Sequence, residues 1–311
     1  MNKKIIKLKS FWKNKKVFIT GHTGFKGTWL SVILNYLGSK IYGYSLLPQK
    51  NSLFNQTKIK HFLYSNISGN LNDIKKLKKA MTNVKPEIIF HLAAQPLVIE
   101  SYNKPITTFE SNILGTANVL ECIRSVKSIK SVLIITTDKV YKINKNNKSY
   151  KETDYLDGID PYSASKVGAE IITSSYIKSF FYNSKLKHKI STVRAGNVIG
   201  GGDFSKNRLI PDIIKGINTK KRIIIRNPNN IRPWQHVLDP LVGYLILAEK
   251  QYKNKLTQIN HSWNFGPNQN NFKKVKDVIR YILKIHKFKF RVLKNNKYKE
   301  PNVLKLNSSK A

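Results

Sequence analysis

The chain has 311 residues, 41% of them apolar and 11% aromatic, with 56 Lys and Arg against 17 Asp and Glu for a net charge of +39. That length and composition suit one large or two modest globular domains and exclude an intrinsically disordered chain. The longest apolar run, around residues 241–248, is far too short to cross a membrane, and the single Cys122 leaves no internal disulfide to form.

The N-terminal "MNKKIIKLKSFWKNKK" is basic but lacks an apolar stretch and a small-residue cleavage site, so it does not read as a signal peptide. With one cysteine, the expectation is a reducing, cytoplasmic setting and no membrane partner. Residues 17–20 form an apolar strand, followed by a Gly-rich turn, a helix to about Leu37 and a second strand near residues 40–44, which together make one βαβ unit. Further strands are expected at 61–67, 86–94, 131–137 and 190–196, with helices between them in "TFESNILGTANVLECIRSV" and "DPYSASKVGAEIITSSYIKSFF". This alternation predicts an α/β fold with a Rossmann-type, doubly wound parallel sheet. After Gly196 the pattern changes to Gly- and Pro-containing loops, a helix near 211–216 and the turn "RNPNNIRP". The expected division is a dinucleotide-binding domain over 11–195, rejoined by parts of 233–267, and a smaller C-terminal substrate domain over 196–311.

Gly21, Gly24 and Gly27 form G-x-x-G-x-x-G between a strand and a helix. Glycines there let the backbone turn tightly and approach a pyrophosphate at the helix N-terminus. No acid follows in "IYGYSLL", so the usual ribose-binding carboxylate is missing and NAD and NADP both remain open at this point. Asn70 is a candidate for the adenine edge, or a turn residue facing solvent. Tyr162 and Lys166 form Y-x-x-x-K on one helix face, 25 residues after Thr137 at a strand end. An ammonium beside a phenol favours the phenolate, which can then take a proton from a hydroxyl. The seven histidines show no metal-ligand spacing, so no metal is expected. The lysines are scattered among Asn and Ile, residues that share A/T-rich codons, so the charge points to base composition more than to nucleic acid.

The glycine triplet, strand-end Thr137 and Tyr162-x-x-x-Lys166 together resemble the extended short-chain dehydrogenase/reductase family. "FHLAAQ" and Asn112 in "SNILGT" resemble its cofactor-lining strand end and helix. Asp138 stands where the family's epimerases carry small residues, so the chain is similar to its nucleotide-sugar 4,6-dehydratases. Among those, "GHTGFKGTWL", "TTDKVY", "VRAGNVIGGGD" and "IRPWQHVLDPLVGYLILA" look like segments of the enzymes acting on CDP-glucose. Those proteins continue beyond the segment matching "KLNSSKA", so a substrate domain truncated at its C-terminus is expected.

The resemblance implies a lyase that converts CDP-glucose to CDP-4-keto-6-deoxyglucose through bound NAD, feeding deoxyhexose synthesis for surface polysaccharide such as lipopolysaccharide O-antigen, and working as a homo-oligomer. Gly21, His22, Thr23, Gly24, Phe25, Lys26 and Gly27, with Asn70, Leu92, Ala93, Ala94, Asn112, Tyr162 and Lys166, would hold the cofactor. Gln95, Asn197, Arg208, Arg226, Arg232 and His236 would face the substrate, the arginines suiting phosphate. Tyr162 would take the 4-hydroxyl proton, Thr137 orient it, and Asp138 act as acid to the departing 6-hydroxyl. Lys139 stands where most of these enzymes carry a Glu that removes the carbon 5 proton. An ammonium ion cannot accept a proton, which leaves two roles: a desolvated base, or a cation that orients water and stabilises an enolate. The alternatives are another nucleotide-sugar dehydratase or epimerase of this fold, or an inactive, truncated dinucleotide-binding module.

Overall fold

The computed structural model describes residues 3–144, 146, 148–182, 188–256, 261–268, 271–293 and 300–311. The basic N-terminal run folds as helix α1 (Lys3–Trp12), an element not expected from the sequence. Phe11 and Trp12 are buried and anchor the end of this helix to the main core. Strand β1 (Lys16–Thr20), helix α2 (Phe25–Tyr36) and strand β2 (Lys40–Ser45) follow as the βαβ unit.

The expected strand over 61–67 is shorter and later. After the short α3 (Leu53–Gln56), Lys58 adopts a left-handed conformation, and a single 3-10 turn at Ile59–Phe62 tucks Ile59 inward. Strand β3 then occupies only Ser65–Ser68. Helix α4 (Ile74–Val84) leads to β4 (Ile88–His91), which ends three residues before the expected Ala94. Leu92 N makes the last ladder bond to Thr20 O (3.0 Å), and Ala93 N then turns onto Thr20 Oγ1 (3.3 Å) over the Gly-rich turn.

Helices α5 (Val98–Asn103), α6 (Pro105–Phe109) and α7 (Gly115–Arg124) come next, with a wide π turn at Glu110–Leu114 between the last two. Strand β5 (Ser131–Ile135) stops short of Thr137, and a 3-10 turn spans Asp138–Val140. Helix α8 (Pro161–Tyr176) opens on an Asp160 cap that accepts from Ser163 N, with Pro161 at its first position. Strands β6 (Lys189–Ala195) and β7 (Asn197–Ile199), α9 (Leu209–Thr219), β8 (Ile223–Arg226) and β9 (Ile231–His236) lead to α10 (Leu238–Tyr252). Strands β10 (Ser262–Phe265) and β11 (Phe272–Lys274), α11 (Val275–Ile285) and β12 (Phe290–Leu293) complete the elements.

Seven strands form one all-parallel sheet in the order β10-β6-β5-β4-β1-β2-β3. Strand order reverses between β1 and β4, so their carboxyl ends open a crevice at the topological switch point. Strands β4 and β5 are buried at every position, as strands covered by helices on both faces must be. Two apolar cores lie on the two faces, one built on Trp12, Leu30, Phe90 and Leu241, the other on Phe18, Leu77, Val119 and Ile134. Beside this sheet lie a three-stranded sheet β11-β9-β7 and a parallel pair β12-β8, with a core of Ile213, Ile223, Ile225 and Ile279. Residues 300–311 run back across both parts, bridging Val303 to Ile231 and Leu306 to Tyr150.

Candidate active site

The Gly-rich turn has the form a pyrophosphate cradle needs. Gly21 takes a φ of +76° and lies so close to the turn after β4 that a Cβ would meet Ala93 N at 2.6 Å. At Gly27, in the first turn of α2, a Cβ would meet Gly21 O at 2.1 Å. Gly24 is exposed and would make only ordinary contact, at 3.4 Å. The cradle is therefore closed underneath and open at the N-terminus of α2, where unpaired amides favour an anion. These residues fit a dinucleotide.

His22 sits behind the turn, buried against Gly43, with Nε2 2.7 Å from Asn66 Oδ1. Thr23 Oγ1 lies 2.7 Å from Ser45 Oγ and donates to Leu46 O, tying the turn to the end of β2, where no carboxylate stands. Phe25 and Lys26 are half-buried at the start of α2. Burial pushes the Lys26 ammonium down to about 8, and Arg208 adds to this. Asn70 is exposed, and its Oδ1 accepts from Asn72 N, so its side chain serves its own turn.

Asn112 occupies the π turn and is 1% exposed. Its Nδ2 donates to Gln95 O (3.0 Å) and Ser165 Oγ (2.8 Å), and its Oδ1 accepts from Gln95 N (2.8 Å). The loop after Leu92, Ala93 and Ala94 is thereby fastened to α8. Gln95, a substrate candidate, spends its amide inside that loop, donating to Leu97 O and Thr108 Oγ1 and accepting from Leu97 N. Below it, His91 is held between Thr20 Oγ1 (2.7 Å) and Thr116 Oγ1 (3.1 Å), and burial drives its pKa to about 3, so it stays neutral.

The end of β5 and the start of α8 bring the reactive groups together. Thr137 Oγ1 donates to Asp138 Oδ1 (3.1 Å) and accepts from Lys139 N (3.4 Å). Asp138 is 2% exposed, and its Oδ2 is buried without a hydrogen-bond partner. Burial lifts the Asp138 carboxyl above the usual carboxylate range against the opposing pull of Lys139, Arg232 and Lys26. A carboxyl kept protonated in this way can donate. Burial also raises the Tyr162 phenol to about 12, which outweighs the hydrogen bond from Thr137 and the charge of Arg208. Lys166 donates to Ile135 O (3.1 Å), and burial lowers its ammonium to about 8. In the protein alone desolvation thus sets the phenol high, where the sequence pattern predicted a lowering by Lys166.

One turn beyond Lys166 on the same helix, Glu170 forms a buried two-point ion pair with Arg194 Nε and Nη2 (2.8 and 3.0 Å) and accepts from Thr136 and Thr192 (2.6 Å each). Arg194 Nη1 continues to the Tyr141 hydroxyl (2.8 Å), which donates to Asn264 Oδ1 (2.6 Å). This network clamps β5, β6, β10 and α8 together directly beneath Thr137. Sequence reasoning did not single it out. The i, i+4, i+8 series Tyr162, Lys166, Glu170 was the signal that could have revealed half of it.

On the substrate side, Asn197 starts β7 opposite Trp234 of β9. Arg208 pairs with Asp203 (3.0 Å), and Arg226 donates to Asn207 O (3.2 Å). Arg232 is buried and pairs with Glu300 (3.2 Å). Burial raises the Glu300 carboxyl, but Lys139 and Arg232 outweigh that and leave it below its usual range. Glu300 therefore brings a carboxylate into the field of Lys139, a placement that no local pattern in the Lys-rich stretch around it signals. His236 is exposed, and its Nδ1 accepts from Leu238 N at the start of α10. Among the described residues no group of three His, Cys, Asp or Glu side chains is placed to hold a metal ion.

Residues 18–305 match the family model described as GDP-mannose 4,6 dehydratase. The chain belongs to that nucleotide-sugar dehydratase family. Among relatives in the family, a CDP-glucose 4,6-dehydratase from Salmonella typhimurium is 42% identical over 275 residues, 87% of this chain and 76% of the relative. A dTDP-D-glucose 4,6-dehydratase from Dictyostelium discoideum is 29% identical over 81% of this chain and 58% of its own length. The fold of the dehydratase family recurs in a dTDP-glucose 4,6-dehydratase from Streptomyces venezuelae solved with NAD and TYD bound. That structure has a TM-score of 0.81 at 18% identity, over 94% of this chain and 88% of that one. A UDP-glucuronic acid 4-epimerase mutant from Bacillus cereus shares it too, with a TM-score of 0.79 at 19% identity over 95% and 91% of the two chains. The dehydratase fold thus serves more than one reaction.

Proposed function

We propose that the protein removes water from CDP-glucose to give CDP-4-keto-6-deoxyglucose, with NAD bound in the cradle of Gly21, Gly24 and Gly27. The observation that carries this reading is the buried carboxyl of Asp138, which accepts from Thr137 and lies within the electrostatic reach of Tyr162. An epimerase needs a base at the 4-hydroxyl, whereas a dehydratase also needs an acid for the leaving hydroxyl. The 42% identity to a CDP-glucose 4,6-dehydratase supports the choice of nucleotide.

When bound, the NAD held by Gly21, Gly24 and Gly27 would supply a hydride acceptor for carbon 4 and a hydride donor for carbon 6. Tyr162 takes the 4-hydroxyl proton, Thr137 orients that hydroxyl, and the Lys166 ammonium favours the phenolate. The 4-ketone acidifies carbon 5, and Asp138 protonates the departing 6-hydroxyl from Oδ2. Lys139 takes the cationic role, in which its ammonium, with the Glu300 carboxylate in its field, orients a water that accepts the carbon 5 proton and stabilises the enolate. Asn197, Arg208, Arg226 and Arg232 receive the diphosphate, the arginines exchanging Asp203, a backbone carbonyl and Glu300 for phosphate oxygens. On this reading residues 11–195 with 262–265 form the cofactor half, and 196–311 supply most of the substrate half.

A second copy of the chain fits the outer face of α6, the π turn and α8, where Ile106, Leu114 and Ile171 are exposed on packed neighbours. Solution scattering reads that directly, and a strictly monomeric particle would remove the homo-oligomer. The cytoplasm, where nucleotide sugars are made, is the proposed location.

Incubation with CDP-, dTDP-, UDP- and GDP-sugars plus NAD, followed by mass spectrometry, tests the reaction. Loss of one water from CDP-glucose alone is the expected result. Water lost from another nucleotide sugar would reassign the substrate, and a rearranged sugar of unchanged mass would make the protein an epimerase. No turnover of any of them would leave a dinucleotide-binding module.

A further inference from the structure

We propose that Glu300 is a built-in competitor for the diphosphate of the nucleotide sugar, holding Arg232 until that group displaces it. This rests on the substrate reading above and adds to it a residue that sets how tightly the site keeps substrate and product.

The two arginine–carboxylate pairs of the substrate half are built in opposite ways. In the first, the Asp203 side chain is 5% exposed and its Oδ1 also accepts from Ser205 N (3.1 Å), whereas the Arg208 side chain is 35% exposed. Arg208 can swing towards a phosphate and leave Asp203 where it is. In the second, the arginine is the buried partner: the Arg232 side chain is 6% exposed and that of Glu300 is 32% exposed. Arg232 is also pinned from the other side, since its Nη1 donates to Ile231 O (2.9 Å) and Asn302 O (3.5 Å). Among the described residues, Glu300 has one hydrogen-bond partner, Arg232 Nη2 (3.2 Å). Here the arginine stays and the acid leaves.

Only the side chain of Glu300 has to move. The backbone that follows it runs alongside β9, with Ile231 N donating to Asn302 O (2.8 Å) and Leu304 N to Ile231 O (3.1 Å). Leu304 and Leu306 then pack with Val140 and Tyr141 behind the catalytic turn. A buried guanidinium stripped of its counter-charge is strongly destabilised, so Glu300 departs only as another anion arrives. The oxygens of a diphosphate suit the same planar fork of donors. A ligand without phosphate cannot drive the exchange. Substrate and product carry the same diphosphate, so the competitor weakens the hold on both and shortens the stay of the product.

Calorimetric titration of the NAD-saturated Glu300→Gln variant with CDP, and with cytidine as competitor, tests this against the unaltered holoenzyme. Glutamine keeps the length of the side chain and removes the charge that competes. CDP should bind the variant about tenfold more tightly, while cytidine, which has no phosphate, binds both proteins alike. Unchanged CDP affinity would overturn the proposal. Weaker CDP binding would overturn it too and make Glu300 a support for Arg232 or a ligand of the nucleotide. Cytidine tightened by the same factor as CDP would trace the effect to the whole segment and not to the exchange at Arg232. Glu300→Ala repeats the titrations should the glutamine variant fail to fold. If another nucleoside diphosphate binds in place of CDP, the choice of substrate falls, and the same comparison made with that nucleotide decides the role of Glu300. No nucleoside diphosphate bound by either protein would overturn both.

Discussion

At the carboxyl end of β1 the site is made by missing side chains, and at the carboxyl end of β5 by side chains packed away from water. The first region works through backbone that must come close: a Cβ at Gly27 would sit 2.1 Å from Gly21 O. The second works through desolvation, which raises the Asp138 carboxyl and lowers the Lys166 ammonium. A shape requirement is stringent about volume and indifferent to pH. A desolvation requirement tolerates modest changes of shape and fails when charge is altered. Each region should therefore break under a different kind of substitution.

The largest effects belong to the β5 region. Tyr162→Phe and Asp138→Asn should each lower kcat by roughly 10²- to 10⁴-fold while NAD affinity, read by titration calorimetry, stays near that of the parent. Asp138→Asn should also accumulate the absorbance of reduced nicotinamide, because oxidation at carbon 4 proceeds while the leaving group lacks its acid. Loss of NAD binding in either variant would show that the two regions are not separable.

Arg194→Met leaves Glu170 buried without its partner, and chemical denaturation should show a loss of roughly 3–5 kcal/mol. A smaller effect on the β1 side comes from Gly27→Ala, which should cost roughly 1–3 kcal/mol through overpacking and weaken NAD binding. Gly24→Ala, with room at 3.4 Å, should leave stability almost unchanged. Equal damage from the two alanines would contradict the closed-below, open-above cradle. Lys139→Met should slow turnover about tenfold, or about 1.4 kcal/mol, and reduce solvent-deuterium exchange at carbon 5. Normal rate and normal exchange would remove Lys139 from the chemistry.

A separate effect is one of pH. Folded Lys166 gives up its proton near 8 and the unfolded chain near 10.5, so between those values the unfolded state binds more protons. The stability of the cofactor-free protein should therefore gain from this residue as pH rises through that window. Urea midpoints of the parent and of Lys166→Met, compared across the window, should show the gain only in the parent.

What the sequence made legible follows the range of each interaction. Gly21, Gly24 and Gly27 act on neighbours within one turn, and Tyr162 and Lys166 share a helix face, so spacing alone exposed them. The strand ends were harder to place. Residues 92–94 and 136–137 are as apolar or β-branched as the strands before them, and only the last ladder bonds, Leu92 N to Thr20 O and Thr136 N to Val193 O, mark where the sheet ends. Arg194 and Glu300 were out of reach for the same reason. Each meets its partner only after folding brings distant segments together, Glu300 meeting Arg232 across 68 residues. Gln95 looked like a ligand for substrate because it follows the cofactor-lining strand. The structure gives its amide to Leu97 and Thr108.

The return of residues 300–311 across the molecule has a consequence for how the protein comes into being. Tyr150 is sandwiched by hydrogen bonds from its own amide to Lys305 O and from Asn307 N to its carbonyl, 2.8 Å each, and its ring stacks on Tyr141 just past the catalytic turn. On the ribosome the seven-stranded sheet can begin to form while the segment that braces this loop has yet to be made. Thr137, Asp138 and Lys139 are therefore synthesised early and braced late. Maturation of activity should lag behind formation of the sheet, because closing a loop of that length is slow compared with local folding.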